Sequence, residues 1–216
     1  MLVKYMNFFK ICGLPILQAK IDPNSYDKQK LINTFEKNYK KQKIRQKWSF
    51  SSFETNIHHS LNDEENKMFE KPDYSKLIPN YQKPLMEYAK KVNLLPKTKM
   101  QLYVVNYTCN KHKSFMEPHI HMECEFSMIH YVKFDEKQHA PTTFLNPYES
   151  WEWWSKSLQD KIDLKKITQA WVYTDFVFPT QEDDVIIFPS MFRHFVNNKE
   201  SDSPRITISS NVTLNI

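Results

Sequence analysis

The C-terminal part of this chain runs with a period of two. From Arg205 the residues alternate polar and apolar, Arg205-Ile206-Thr207-Ile208-Ser209, and upstream Val185-Ile186-Ile187-Phe188 is an apolar run closed by Pro189-Ser190. Side chains of a strand alternate between its faces, so these segments are expected as strands with a buried side. Met100–Tyr107, Ser127–Phe134 and residues 171–178 have the same character. Leu14–Ile21 is expected as the first strand. A helix is predicted from about Tyr26 to Lys43, after the capping run Asp22-Pro-Asn-Ser, with Leu31, Ile32, Phe35 and Tyr39 on one side. A second is predicted over about Tyr81 to Val92, with Leu85, Tyr88, Ala89 and Val92 as its buried stripe and with Pro79 and Pro84 at or near its start. Two early helices followed by many strands predict a mainly β fold, a jelly roll with helices packed on one face.

Glycine is nearly missing: Gly13 is the single one in 216 residues. Tight turns normally use Gly, so Asn, Asp and Pro must form them in this chain. The length suits one domain with a real core. Residues 1–98 read as a helical and strand support, and residues 99–216 as the jelly-roll core. A Trp-rich insert lies at about 147–170, and four of the five Trp fall between 151 and 171. That insert reads either as a lid or substrate platform over the barrel mouth, or as a local core that pins it to the sheet.

The net charge of +5 comes from lysines spread along the chain. That predicts a solvated surface rather than a nucleic-acid site. Cys12, Cys109 and Cys124 have no zinc spacing and are expected as reduced thiols, which fits a cytoplasmic protein. Lys4 and Lys10 interrupt the mildly apolar start, so neither a signal peptide nor a membrane span is expected.

Chemistry is concentrated in a few positions. If residues 119–123 are extended, His119, His121 and Glu123 share one face. His194 follows the apolar strand and its Pro-Ser turn, and Arg205 stands eleven residues further on. Two ligands two apart on one strand and a third from a distant strand would hold a metal on one side only, leaving positions open for other ligands, as non-haem iron requires. Arg205 would then grip the far carboxylate of a keto-diacid through a two-bond fork that Lys cannot copy. The chain has only Arg45, Arg193 and Arg205, so two of its three Arg lie beside the distal His. His58, His59 and His112 read as exposed loop residues and His130 as a surface or packing residue. His139, in a loop, is given no role.

These blocks resemble 2-oxoglutarate/Fe(II)-dependent oxygenases of the tailed-phage type and, more distantly, prolyl hydroxylases. The blocks are His119-Ile-His121 through Ser127 to Tyr131, then Asp183-Asp184-Val-Ile-Ile-Phe188-Pro189-Ser190 through His194 to Val196, then Arg205-Ile-Thr207-Ile-Ser209-Ser-Asn211. The similarity spans roughly residues 101–213 and departs from the group's pattern at Met122 for Pro, Met128 for Gly and Asp183 for Gly. It implies a double-stranded β-helix of the cupin-like kind. It further implies Fe(II) as the metal, 2-oxoglutarate as cosubstrate, and hydroxylation of a protein, peptide or small molecule with release of succinate and carbon dioxide. His119, His121 and His194 are the implied ligands, and Arg205, Thr207, Tyr131 and Tyr107 the implied cosubstrate contacts. Whether His121 or Glu123 is the third ligand stays open in the sequence. Two other readings are a three-His metal dioxygenase that uses no 2-oxoglutarate and a non-enzymatic jelly-roll module of a phage particle.

Overall fold

The structure is a computed structural model that describes residues 3–11, 13–41, 46–47, 54–55, 69–110, 115–147, 161 and 175–216. An N-terminal hairpin, β1 (Val3–Ile11) and β2 (Leu14–Ile21), turns at Gly13, whose φ of 82° lies in the left-handed region that glycine enters without strain. Helix α1 (Lys28–Lys41) follows, then the two-residue strands β3 (Gln46–Lys47) and β4 (Glu54–Thr55), then α2 (Ile78–Lys91). Eight strands follow among the described residues: β5 (Lys99–Asn110), β6 (Met116–His119), β7 (Phe126–Lys133), β8 (Thr142–Leu145), β9 (Asp175–Val177), β10 (Asp184–Pro189), β11 (His194–Val196) and β12 (Arg205–Asn215).

Six strands form one sheet in the order β1-β2-β10-β7-β12-β5, and four form a second in the order β6-β11-β8-β9. From β5 onward the chain crosses repeatedly between the two sheets, so that β5, β12, β7 and β10 face β6, β11, β8 and β9. That is the strand order of a double-stranded β-helix, a mainly β jelly roll as the sequence predicts. The pairing of β12 with both β5 and β7 is antiparallel and long, and it shifts register where Ser209 faces Asn106 but Ser210 faces Val104. Val105 is therefore an extra residue in β5, a bulge that re-aims the side chains on either side of it.

Both faces of the larger sheet are covered. Helices α1 and α2 pack on the outer face, where Leu31, Phe35, Tyr81, Leu85 and Tyr88 join Tyr107, Ile206, Ile208 and Val212 in one buried cluster. Each such apolar side chain contributes about 1.5–3 kcal/mol relative to exposure. The inner face meets the smaller sheet around Phe144, Phe178, Phe188 and Phe192.

Several expectations shift. The chain starts its sheet with β1, so Leu14–Ile21 is the second strand; alternation was masked by Lys4 and Lys10. Helix α2 begins at Ile78, three residues before the expected Tyr81, which puts Pro84 inside the helix and only Pro79 in its first turn. Apart from positions 147 and 161, the Trp-rich insert lies outside the described residues, as do His58, His59 and His112. Asp183, at a position where the similar group has Gly, takes φ 68°, a backbone conformation that glycine suits and Asp tolerates. Its carboxylate pairs with Lys28 of α1 at 2.6 Å, which ties the strand-leading turn to the helix layer.

Candidate metal centre

Three imidazoles converge at one end of the space between the sheets. His119 ends β6, His194 opens β11, and the two stand opposite each other in the antiparallel pair. His121 is not on a strand, because β6 stops at His119. This corrects the expectation of an extended 119–123 segment. Instead, the His121 N–H donates to the Ser190 carbonyl at 2.9 Å, which docks the loop after β6 on the turn after β10. One potential ligand atom from each of His119, His121 and His194 lies within 4.8 Å of the others. Ring centroids are 4.3 Å apart for His119 and His194, 5.2 Å for His119 and His121, and 5.3 Å for His121 and His194. Glu123, two residues on, is exposed and takes no part in the cluster.

The hydrogen bonds fix the tautomers. His119 Nδ1 sits 2.8 Å from the Glu117 carbonyl and His194 Nδ1 sits 2.9 Å from the Phe192 carbonyl. A carbonyl only accepts, so each Nδ1 carries the proton and each Nε2 keeps its lone pair for a ligand. Burial lowers the pKa of all three rings. His194 falls well below its usual value through burial and the adjacent His119, and His119 falls through burial despite its carbonyl bond. His121 drops to about 4, through burial and then through His119. All three are neutral at pH 7, the state a metal ligand needs. The donor set fits a facially bound divalent ion with open positions on its far side.

The histidines line a pocket of about 570 Å³, counting its open mouth, that runs along the inner side of β12. Arg205 lies at one end of it, 6 % exposed. Its guanidinium carbon is 5.3 Å from the Tyr131 ring centre, and Tyr131 in turn donates its hydroxyl to Thr142 at 2.7 Å. Nη1 reaches Thr207 Oγ1 at a long 3.4 Å, and Nε has no partner among the described residues. No carboxylate among the described residues pairs with this buried cation. Burial lowers its pKa, yet a guanidinium stays charged at neutral pH. A desolvated, unpaired cation beside a cavity calls for an anion. Thr207 lines the same pocket and shares a 2.6 Å hydroxyl contact with Thr108.

Tyr107 is elsewhere. On β5 it alternates with the pocket-lining Asn106 and Thr108, so it points to the outer face. There it stacks on Phe35 with centroids 4.1 Å apart and accepts from Asn38 at 3.1 Å. The resemblance aligned it with a cosubstrate tyrosine; strand alternation turns it away. Asn106 escapes a sequence reading for the same reason, since only the pairing of β5 with β12 places it on the pocket side. His130 is buried on the outer face, where its Nδ1 meets the Tyr81 hydroxyl at 2.9 Å, the packing rather than the surface alternative expected of it.

The segment that carries these residues matches a known family model. Residues 106–211 match the family model described as "Putative 2OG-Fe(II) oxygenase". No curated protein matches the chain by sequence. Among solved structures, the chain is similar to an oxidoreductase of the 2OG-Fe(II) oxygenase family from Burkholderia pseudomallei, at 14 % identity and TM-score 0.38, covering 67 % of this chain and 62 % of that one. It is also similar to HygX from Streptomyces hygroscopicus, whose structure has nickel and 2-oxoglutarate bound, at 9 % identity and TM-score 0.46, covering 92 % of this chain and 82 % of that one. The chain thus spans less than two thirds of the first neighbour's length. Residues 106–211, which carry His119, His121, His194 and Arg205, thus match the 2OG-Fe(II) oxygenase family, a family of oxidoreductases with Fe(II) as metal and 2-oxoglutarate as cosubstrate.

Proposed function

We propose that this protein is a 2-oxoglutarate- and Fe(II)-dependent dioxygenase that hydroxylates a protein, peptide or small-molecule substrate. The observation that carries the reading is the pairing, within one pocket, of three neutral histidines with a buried Arg205 that has no carboxylate partner among the described residues. His119, His121 and His194 would hold Fe(II). Arg205 and Thr207 would hold the distal carboxylate of 2-oxoglutarate, with Tyr131 supporting the guanidinium from beneath. When bound, the iron supplies the oxygen chemistry; the protein supplies placement and a dry wall.

Each residue has a separable task. The Glu117 and Phe192 carbonyls keep His119 and His194 in the tautomer that offers Nε2. Arg205 fixes the direction of the cosubstrate along the pocket, because a planar fork accepts a carboxylate in one plane. Phe188 and Val196 line the wall between and exclude water. The three-His dioxygenase without 2-oxoglutarate is the second reading, since His121 stands where a carboxylate would lower the site's charge. Arg205 argues against it, having no task in such a site.

Titration calorimetry of the Mn(II)-loaded protein with 2-oxoglutarate tests the reading. Binding that Arg205→Lys largely removes, with metal retained, is the expected result. No binding by the metal-loaded wild type would favour the second reading.

A further inference from the structure

The pocket has two unlike ends. Arg205 and Asn211 both lie on the inner side of β12, six residues apart, which is about 20 Å of strand. The histidines lie between these ends. Val196 and Thr142 lead from His194 toward Arg205, and Ser190, which holds the His121 N–H, leads the other way to Ser127 and Asn211. The Arg205 end is cationic. The Asn211 end carries Asn106, Ser127, Ser209 and Asn211, and no Asp, Glu, Lys or Arg among the described residues that line it.

Hydrogen bonding at this second end is incomplete. Asn106 is 8 % exposed, and its Oδ1 has no partner among the described residues. The Asn211 amide makes contacts at the outer limit of hydrogen bonding, 3.5 Å from Ser127 Oγ and 3.5 Å from the Tyr103 hydroxyl. An acceptor with nothing to accept and a loosely held amide are costly inside a protein unless a ligand completes them. The bulge at Val105 allows both Asn106 and Tyr103 to face this end, although they are an odd number of residues apart.

We propose that the Asn106–Asn211 end recognises the primary substrate through an uncharged group that both donates and accepts hydrogen bonds, an amide or a hydroxyl. The proposal rests on the 2-oxoglutarate reading, which assigns the cationic end to the cosubstrate. A carboxylate or ammonium at the Asn106–Asn211 end would be desolvated with no opposite charge to meet it, and is selected against. An amide or hydroxyl donates to Asn106 Oδ1 and accepts from the Asn211 amide.

The test uses paramagnetic relaxation of probe protons by Mn(II) in the full-length protein saturated with 2-oxoglutarate. The probes are acetamide, ethylene glycol, acetate and methylammonium. Relaxation of acetamide or of ethylene glycol above the acetate and methylammonium level is expected, and which of the two responds identifies amide or hydroxyl. Asn106→Leu should reduce that response about fivefold, the worth of one neutral hydrogen bond, while 2-oxoglutarate affinity measured by calorimetry stays within about twofold. Asn211→Asp should move the preference toward methylammonium, and it serves if Asn106→Leu does not fold. Acetate or methylammonium responding in the wild type, no probe responding, or a response indifferent to both variants would overturn the proposal while leaving 2-oxoglutarate binding intact. Failure of 2-oxoglutarate to bind at all would overturn the reading beneath it.

Discussion

The two faces of the large sheet are built from the same strands yet differ in how they treat buried polar groups. On the outer face, Tyr107, Tyr81 and His130 are buried around α1 and α2; Tyr107 accepts from Asn38, the Tyr81 hydroxyl meets His130 Nδ1, and among the described residues His130 Nε2 alone of these groups has no partner. On the inner face, Arg205 Nε and Asn106 Oδ1 are buried without partners among the described residues. Neighbouring residues sit on either side of this divide: Tyr107 against Thr108, His130 against Tyr131, Ile206 against Arg205. The outer face is organised for stability. The inner face keeps costly groups that only a ligand would complete, the usual signature of a site that trades stability for binding.

The most drastic way to break the contrast is at the metal. His119→Ala and His194→Ala should each abolish Mn(II) or Fe(II) binding in calorimetry, and His121→Ala should weaken it severely, because each removes one corner of the triangle. Glu123→Gln should leave binding almost unchanged. Loss of metal in Glu123→Gln with retention in His121→Ala would reverse the ligand assignment.

Arg205 gives the next largest effect and sharpens the comparison in both directions. Arg205→Ala should cost on the order of 2–5 kcal/mol of 2-oxoglutarate binding. Arg205→Met should be equally defective in binding but should unfold at the same or a higher temperature than wild type without ligand, since it removes a buried unpaired charge. A large drop in melting temperature for Arg205→Met would mean that the guanidinium is structural.

The outer face is tested by acid. His130 is fully buried and its pKa falls to about 3 through burial, with Lys28 adding to the shift. Tyr81 and Tyr26 also face it, and neither supplies a charge at this pH. Its unfolded pKa is about 6.5, so between these values the unfolded chain binds a proton that the folded one does not. The metal-free protein should therefore lose stability as pH falls from 6.5 toward 3, this residue contributing a slope of about 1.4 kcal/mol per pH unit. His119, His121 and His194 act in the same direction. Denaturant melts across pH should show a shallower acid slope for His130→Met; an unchanged slope would show that His130 is protonated in the fold.

The smallest effect is expected at Thr207. Thr207→Val should weaken 2-oxoglutarate by about 1 kcal/mol, one neutral hydrogen bond, in the same calorimetric assay. A loss as large as that of Arg205→Ala would mean that the 2.6 Å Thr108–Thr207 contact organises the whole end of the pocket.

Much of this protein is local and was legible as such. Alternation along Arg205–Ser209 and the apolar run before Pro189 specify strands, because the pleat forces a period of two whatever the neighbours are. Residue chemistry also pointed to His119, His194 and Arg205 as members of one site. Other features depend on which strand lies beside which. Tyr107 and Asn106 are adjacent, and only the register of β5 against β12 decides that the first faces the helices and the second the pocket. The bulge at Val105 leaves no mark in composition, since an extra residue is defined only by its partner strand. His121 reaches the cluster from a loop, through a backbone bond to Ser190 nearly seventy positions away, and no periodicity encodes a contact of that range. Sequence alone determined strands such as the one from Arg205 and the kinds of ligand atom the site carries. The tertiary structure decided which side of each strand is inside, because facing is a relation between chain segments and not a property of one.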